Sequence, residues 1–547
     1  SNLIQWARKG SQEASAVGLN GSSKAFILSL LALDSGLPLL VVTPRPGDAE
    51  TFSEALRFFA TPDKEILAFP PRDTILYDEL PAHQEIVGQR VRALSQIGLR
   101  DGIITVTSVQ TLMQRTMYPR ALEGLTTALD VGDEIDREEF IGRLIRGGYT
   151  RVQLVEEKGE FSVRGGIIDL FSPSYRDPLR LEFFGDRIES IRAFDAETQR
   201  SHQHHEGVSI LPAKEMMEDH EDQVGASLFD HLNPHTILAI DDLFEVEREG
   251  EDFWLQVNER FERGVAKGKA PSAPDRWFLP LGTVKSSWGP MRKLFLGEMD
   301  FPESREAGAE ILRVTAHANE DLRTIPKSTG RGETLLSPLM KRLKSWQGAG
   351  NEIIIVAHQL AQAERLQELL MEYHLTPQLS SIPFSQWLKG HLPRPADRGP
   401  RTGEGEFTIL TGDLSTGFRL PSMGLVVITE EEIFGHRKRI TRIHRRPADS
   451  SITSFSELNE NDYVVHIDYG VGIYRGLKRL DIEGVSNDYL LLEYLEGDKL
   501  YVPVDRINLI QKYVAFDERG PRQDRLGGSS WRRLKRKVTK SIEEMAR

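Results

Sequence analysis

Three short apolar runs, Leu37–Thr43, Glu65–Phe69 and Gly102–Thr107, follow one another with helix-like sequence around them, beginning with the polar-flanked helix Lys24 to Leu33. Strand-length apolar runs alternating with helices are what a parallel sheet needs when both of its faces are covered, so the first hundred residues predict an α/β layer structure. One such layer cannot account for 547 residues. A chain of that length holds roughly three to five hydrophobic cores.

The texture changes from about Leu129 to a helix, Arg137–Gly147, and then to closely spaced strands at Val152–Glu156, Glu160–Val163, Ile167–Phe171 and Leu179–Phe184. Turn glycines between them predict a small, mainly antiparallel insert. A second α/β stretch carries the run Thr236–Ile240, ends that run in Asp241-Asp242, and extends to a boundary near Lys327–Thr334. A third α/β domain follows, with the strand Glu352–Ala357, a helix bearing Ala363, Leu366 and Leu370 at helical spacing, and strands Phe407–Thr411 and Leu425–Thr429. The basic segment from His436 to Pro447 reads first as a solvated linker, with a nucleic-acid or polymerase contact as the alternative. Between Asp462 and Val514 the strands Tyr463–Ile467, Ile473–Ile482, Tyr489–Leu495 and Lys499–Val504, joined by glycine turns, predict a small β-barrel. The end predicts a basic helix from Ser530 with Trp531, Leu534, Val538 and Ile542 on one stripe, whose packing partner is expected beyond Arg547.

Hydrophobic residues at 39% and charged residues at 28% supply enough apolar area for proper cores. The chain has no cysteine, hence no disulfide and no thiolate metal site, which suits a reducing compartment. The start, Ser1 to Trp6, lacks the pattern of a secretory signal, and the apolar runs fall far short of the roughly 20 residues of a membrane span. A soluble, cytoplasmic protein with no membrane partner is expected. The net charge of −13 repels a phosphate backbone on average and favours protein partners.

One segment approaches a phosphate-binding loop. Gly18-Leu19-Asn20-Gly21-Ser22-Ser23-Lys24-Ala25 has the spacing G-x-x-x-x-G-K-S/T, but Ser23 replaces the second glycine and Ala25 the hydroxyl residue. A side chain at Ser23 crowds the place where backbone N–H groups wrap phosphates, and Ala25 offers no Mg²⁺ ligand. The reading is a relic of a nucleotide site, with no catalytic residue and no cofactor in this chain; Asp241-Asp242 would suit its acidic partner. The histidines His202, His204 and His205 lack ligand spacing for a metal and read as a solvated turn.

Two surfaces read as binding faces. Strand alternation puts Leu179, Leu181 and Phe183 on one side and Arg180, Glu182 and Phe184 on the other, with Arg164 joining the second side if its strand pairs alongside. An exposed aromatic beside arginines has the composition of an interface hot spot. The alternative is a Phe184 tucked under a loop. Gly476–Ile482 interleaves polar and apolar residues as an edge strand would, with Leu480 either a side-chain anchor or core.

At these residues the chain resembles the bacterial transcription-repair coupling factor (Mfd) family along its length. The blocks Phe69-Pro70-Pro71 with Leu76-Tyr77-Asp78, Gly159 to Gly165, Arg180 to Phe184, and Asp498 to Val504 carry that likeness. The first third also resembles the excision-repair protein UvrB, without its tyrosine-rich hairpin between Phe69 and Arg90. The resemblance implies a UvrB-like lobe over 1–127 with the degenerate loop, an inserted UvrA-binding α+β domain over 128–211 and a second UvrB-like lobe over 212–340. It further implies an α/β domain of unclear role over 341–447, a small Tudor-like, CarD-like barrel that binds the RNA polymerase β subunit over 448–515, and a linker with the basic helix over 516–547. By the same resemblance Arg164, Arg180 and Phe184 match UvrA-contacting positions and Leu480 a polymerase-contacting one. The implied function is transcription-coupled nucleotide excision repair, against the alternatives of a UvrB-like helicase subunit or a CarD-like regulator. The family's motor, with its ATP, Mg²⁺ and double-stranded DNA, is expected after Arg547.

Overall fold

The computed structural model describes residues 2–9, 12–72, 84–99, 102–215, 224–266, 273–298, 310–319, 322, 337–391, 405–434, 462–466, 470–482, 485–495, 498–503 and 510–512. They fall into two compact units, Ser1–Arg437 and Lys438–Arg547. The basic segment 436–447, the boundary Lys327–Thr334 and the helix from Ser530 lie outside the described residues.

The first unit begins with the parallel strands β1 (Glu13–Val17), β2 (Leu39–Thr43), β3 (Ile66–Ala68) and β4 (Ile104–Ser108), with α1 (Ser23–Ser35) and α2 (Pro46–Phe59) between them. All residues of β1, β2 and β4 are buried, which is why these strands read as continuous rather than alternating apolar runs. Gly36 ends α1 in the left-handed region at φ 68°, its N–H donating to the Ala32 carbonyl. Pro46 starts α2, and Asp48 takes the Arg45 N–H at 3.2 Å.

An inserted sheet follows, made of β5 (Glu160–Arg164), β6 (Ile167–Leu170), β7 (Leu179–Phe184), β8 (Arg187–Phe194) and β9 (Ser201–His205). Its order is β9-β8-β7-β6-β5, antiparallel throughout, with the two-residue strand Thr150–Arg151 added in parallel to β5. The helix Arg137–Arg146 covers one face through Phe140, Ile141 and Leu144. The expected strand Val152–Glu156 does not form. Val155 is instead drawn into a small apolar cluster with Phe171 and Phe194, and the N–H groups of Glu156 and Glu157 turn onto Glu160 Oε2, each at 2.9 Å. Side-chain burial and a local carboxylate here outbid a sheet ladder.

The chain then returns to the first sheet as β10 (Ile237–Asp241), β11 (Arg292–Gly297) and β12 (Glu310–Arg313), giving seven parallel strands in the order β12-β1-β11-β10-β2-β4-β3. A buried ion pair ties the segment leaving the insert to the helix Gln84–Gln96: Arg90 Nε and Nη2 meet the two Glu215 oxygens at 2.5 and 2.8 Å, and the Arg90 guanidinium lies 4.2 Å over the Phe69 ring. A third sheet comprises β13 (Glu352–Ala357), β14 (Gln378–Ser380), β15 (Phe407–Thr411), β16 (Phe418–Leu420) and β17 (Leu425–Thr429), ordered β14-β15-β13-β17-β16 with only β16 antiparallel.

The first and third sheets share a core. Phe26 of α1 and Phe59 of α2 meet Phe384 and Phe418 at ring separations of 4.9 to 5.9 Å. Trp6 and Trp387 belong to the same buried cluster. These helices therefore serve two sheets, which explains why α1 is apolar well beyond one stripe.

The second unit is an antiparallel sheet of β18 (Tyr463–His466), β19 (Gly470–Ile482), β20 (Val485–Glu493), β21 (Lys499–Pro503) and β22 (Ile510–Lys512), ordered β21-β20-β19-β18-β22. Among the described residues no ladder joins its two end strands. The stretch expected as an edge, Gly476–Ile482, is the second half of β19: Gly470 to Ile473 pair with β18, whereas among the described residues Leu477 to Ile482 pair with β20 alone.

Candidate protein-binding site

Burial in β7 alternates as the sequence requires: Leu179, Leu181 and Phe183 are buried, Arg180 and Glu182 half-buried, and Phe184 is 76% exposed. Strand register carries this face across the insert. Ser162, Asp169, Arg180, Arg192 and His204 form one cross-strand row, and Arg164, Ile167, Glu182 and Ser190 the next. The pairing of β5 with β6 therefore brings Arg164 onto the face of Arg180 and Phe184.

Asp169 stands at the centre of the face and is 1% exposed. Arg180 donates to it twice, Nε to Oδ1 at 2.7 Å and Nη2 to Oδ2 at 3.0 Å, while Arg164 Nη2 reaches Oδ2 at 2.5 Å. Arg180 also lies 4.6 Å over the Phe194 ring, and the hydrogen bond to Asp169 holds its guanidinium above the usual arginine range. Glu182 is held from β8 by Ser190 Oγ at 2.7 Å and by Arg192. The result is a rigid sheet face on which the planar donors are already oriented and a large aromatic stands in solvent. Ordering such groups before contact removes part of the entropy cost of binding. Reading the β6 sequence alone passes over Asp169, although its signal is present: an acid at the polar parity of a strand flanked by two arginine-bearing strands.

The histidines sit on β9 rather than in a turn. His202 and His204 are exposed, and His202 Nε2 is 3.9 Å from Asp177 Oδ2. Among the described residues no three ligating side chains gather into a metal site.

The loop Gly18 to Ala25 does join a strand to a helix, the context a phosphate loop requires, with Gly18 at φ 83° and Gly21 at φ 54°. Several of its backbone donors bond within the chain. Gly18 and Leu19 N–H bond the carbonyls of Glu298 and Gly297 at 3.1 and 3.2 Å, and the Asn20 N–H bonds Ser23 Oγ at 3.0 Å. Ala25 is buried in the core shared by the two sheets. Lys24 Nζ is clamped 2.5 Å from Asp241 Oδ1, whose carboxyl burial pushes above the usual range while Lys24 pulls it back. Asp242 instead accepts the Glu245 N–H at 3.2 Å, at the start of the helix Leu243–Ala266. Lys24 and these loop donors are thus paired within the chain.

In the second unit Leu480 pairs through its backbone with Asn487, in the half of β19, Leu477 to Ile482, that bonds only β20 among the described residues; its side chain lies outside them. Among the described residues no helix is long and apolar enough to cross a membrane.

Comparison with known proteins gives two domain matches: the UvrB interaction domain over residues 127–216 and the CarD-like/TRCF RID domain over residues 458–514. The whole chain is 28% identical to the transcription-repair-coupling factor of Myxococcus xanthus and 26% identical to that of Bacillus subtilis (strain 168), spanning 49% of each. That of Staphylococcus aureus (strain MRSA252) is 25% identical over 98% of the chain and 48% of its own length. The chain thus spans about half the length of the curated relatives it matches.

Proposed function

From a chain homologous along its whole length to the transcription-repair-coupling factors, we propose a two-ended adaptor in transcription-coupled nucleotide excision repair. The inserted sheet binds UvrA through Arg164, Arg180 and Phe184, and the second unit binds the RNA polymerase β subunit through β19 with Leu480 as an anchor. The observation that carries the reading is the Arg164–Asp169–Arg180 cluster beside an aromatic that is 76% exposed. Such a face costs solvation when left bare and gains most when an acidic, partly apolar partner covers it. The domain matches support the two partners, since one is a UvrB interaction domain and the other a CarD-like one.

The adaptor works without nucleotide chemistry of its own. Force comes from an ATP- and Mg²⁺-dependent motor on double-stranded DNA, which the reading assigns to the part of the relatives that this chain does not span.

The test is capture of purified UvrA by the chain, wild type beside an Arg180→Ala, Phe184→Ala double variant of checked fold. Capture by the wild type alone is expected. Equal capture by both moves the site elsewhere. Polymerase binding with no UvrA binding by either favours a CarD-like regulator, and DNA-stimulated ATP turnover by this chain favours a UvrB-like helicase subunit.

A further inference from the structure

The place in front of a phosphate loop, between its glycine turn and the N-terminus of its helix, is where phosphate oxygens are ordinarily received. Here the segment Gly412 to Gly417, linking β15 to β16, lies there. Ser22, at the head of α1, donates its hydroxyl to the Thr416 carbonyl at 2.5 Å, with Thr416 Oγ1 3.2 Å away. The Gly417 carbonyl lies 2.7 Å from the position a Cβ on Gly21 would take. Two carbonyl oxygens, each carrying partial negative charge, thus stand beside Gly21 and Ser22, next to the helix end where an anion would be received.

The segment is built to stay there. The Gly412 N–H bonds the Ala357 carbonyl at 2.9 Å, and a Cβ on Gly412 would stand 2.4 Å from the Phe58 ring, so only glycine allows this approach. Leu414 is buried in the core shared by the two sheets. The Gly417 N–H donates to Glu432 Oε1 at 2.9 Å, and Glu432 Oε2 takes the Thr429 N–H at 2.9 Å and Asn319 Nδ2 at 3.1 Å. A Cβ on Gly417 would meet the Val427 carbonyl at 2.1 Å.

We infer that Gly412–Gly417 is a resident occupant of the relic nucleotide site, and that this gives the third α/β domain a role: it replaces nucleotide as the link between the two sheets. In a working motor the nucleotide makes that link reversible, whereas a covalently attached segment makes it permanent. The recruiting face then rides on a unit whose state does not change with ATP. The inference stands apart from the choice of partners above.

The experiment uses the full 547-residue chain and reads two quantities, amide exchange of residues 412–417 and binding of a fluorescent ATP analogue with Mg²⁺. In the wild type, slow exchange unchanged by the analogue is expected. Ser22→Ala, which removes one hydrogen bond, should speed exchange by about three- to tenfold with the rest of the chain still protected. Repairing the loop with Ser23→Gly and Ala25→Thr should give no binding while 412–417 stay protected, and adding Ser22→Ala and Gly417→Ala should expose the segment and admit the analogue. Fast exchange in the wild type, unaltered exchange in Ser22→Ala, binding by the repaired loop with the segment protected, or no binding once it is exposed would each overturn the inference.

Discussion

Phe184 and Asp169 contribute to one face by opposite means. The aromatic has nothing to lose in the free protein, so Phe184→Ala should leave the melting temperature unchanged and weaken UvrA binding by about 2 kcal/mol, measured by titration calorimetry. A fall in melting temperature would mean that the ring is core. A second residue reports on pH. His231 is buried, its Nε2 lies 2.9 Å from the Met117 carbonyl, and burial holds its pKa below the usual histidine range. The unfolded chain therefore takes up this proton first as pH falls. The stability at stake is fully present above about pH 6.5 and is lost as pH drops toward the folded value. Thermal melts of the wild type should decline from pH 7.5 to 5.5 more steeply than those of His231→Gln.

At the scale of elements, two attachments decide geometry. In β19, Leu477 to Ile482 leave one backbone side without a ladder among the described residues, which suits strand addition by a partner sheet. Leu480→Arg should abolish capture of RNA polymerase while UvrA capture persists; unchanged polymerase pull-down would place the contact on another strand. In the first unit, burial pushes the Glu215 carboxyl up, but the Arg90 charge and its paired hydrogen bonds outweigh this and leave it below the usual range. Arg90→Ala strands that charge in the interior and should cost about 3–5 kcal/mol in urea unfolding. A loss under 1 kcal/mol, the scale of a surface pair, would show that the pair does not brace the insert.

At the scale of the molecule, the shared core predicts that the first and third sheets unfold together. Trp6 and Trp387 report from the two sides of one buried cluster. With the other tryptophans replaced by phenylalanine, each alone should give the same denaturant midpoint, as a single cooperative core requires. Separate midpoints would mean that the third sheet is an independent domain docked on the first.

Much of this was legible in the residues. The buried parallel strands announced themselves as unbroken apolar runs, because a sheet covered on both faces leaves no polar position to interrupt them. The face of β7 followed from a period of two, and the strand-to-helix context of the loop Gly18 to Ala25 followed from its glycine spacing. What the residues could not disclose depends on partners distant in sequence. Asp169 joined Arg164 to Arg180 only when β6 was laid between β5 and β7. Val152–Glu156 left the sheet because Val155 found a pocket against Phe171 and Phe194. The hydrogen bond from Ser22 to Thr416 joins residues almost 400 positions apart. Local periodicity is written within a few residues, whereas packing and long-range hydrogen bonds are set by which surfaces the folded chain brings together, and only the tertiary structure decides that.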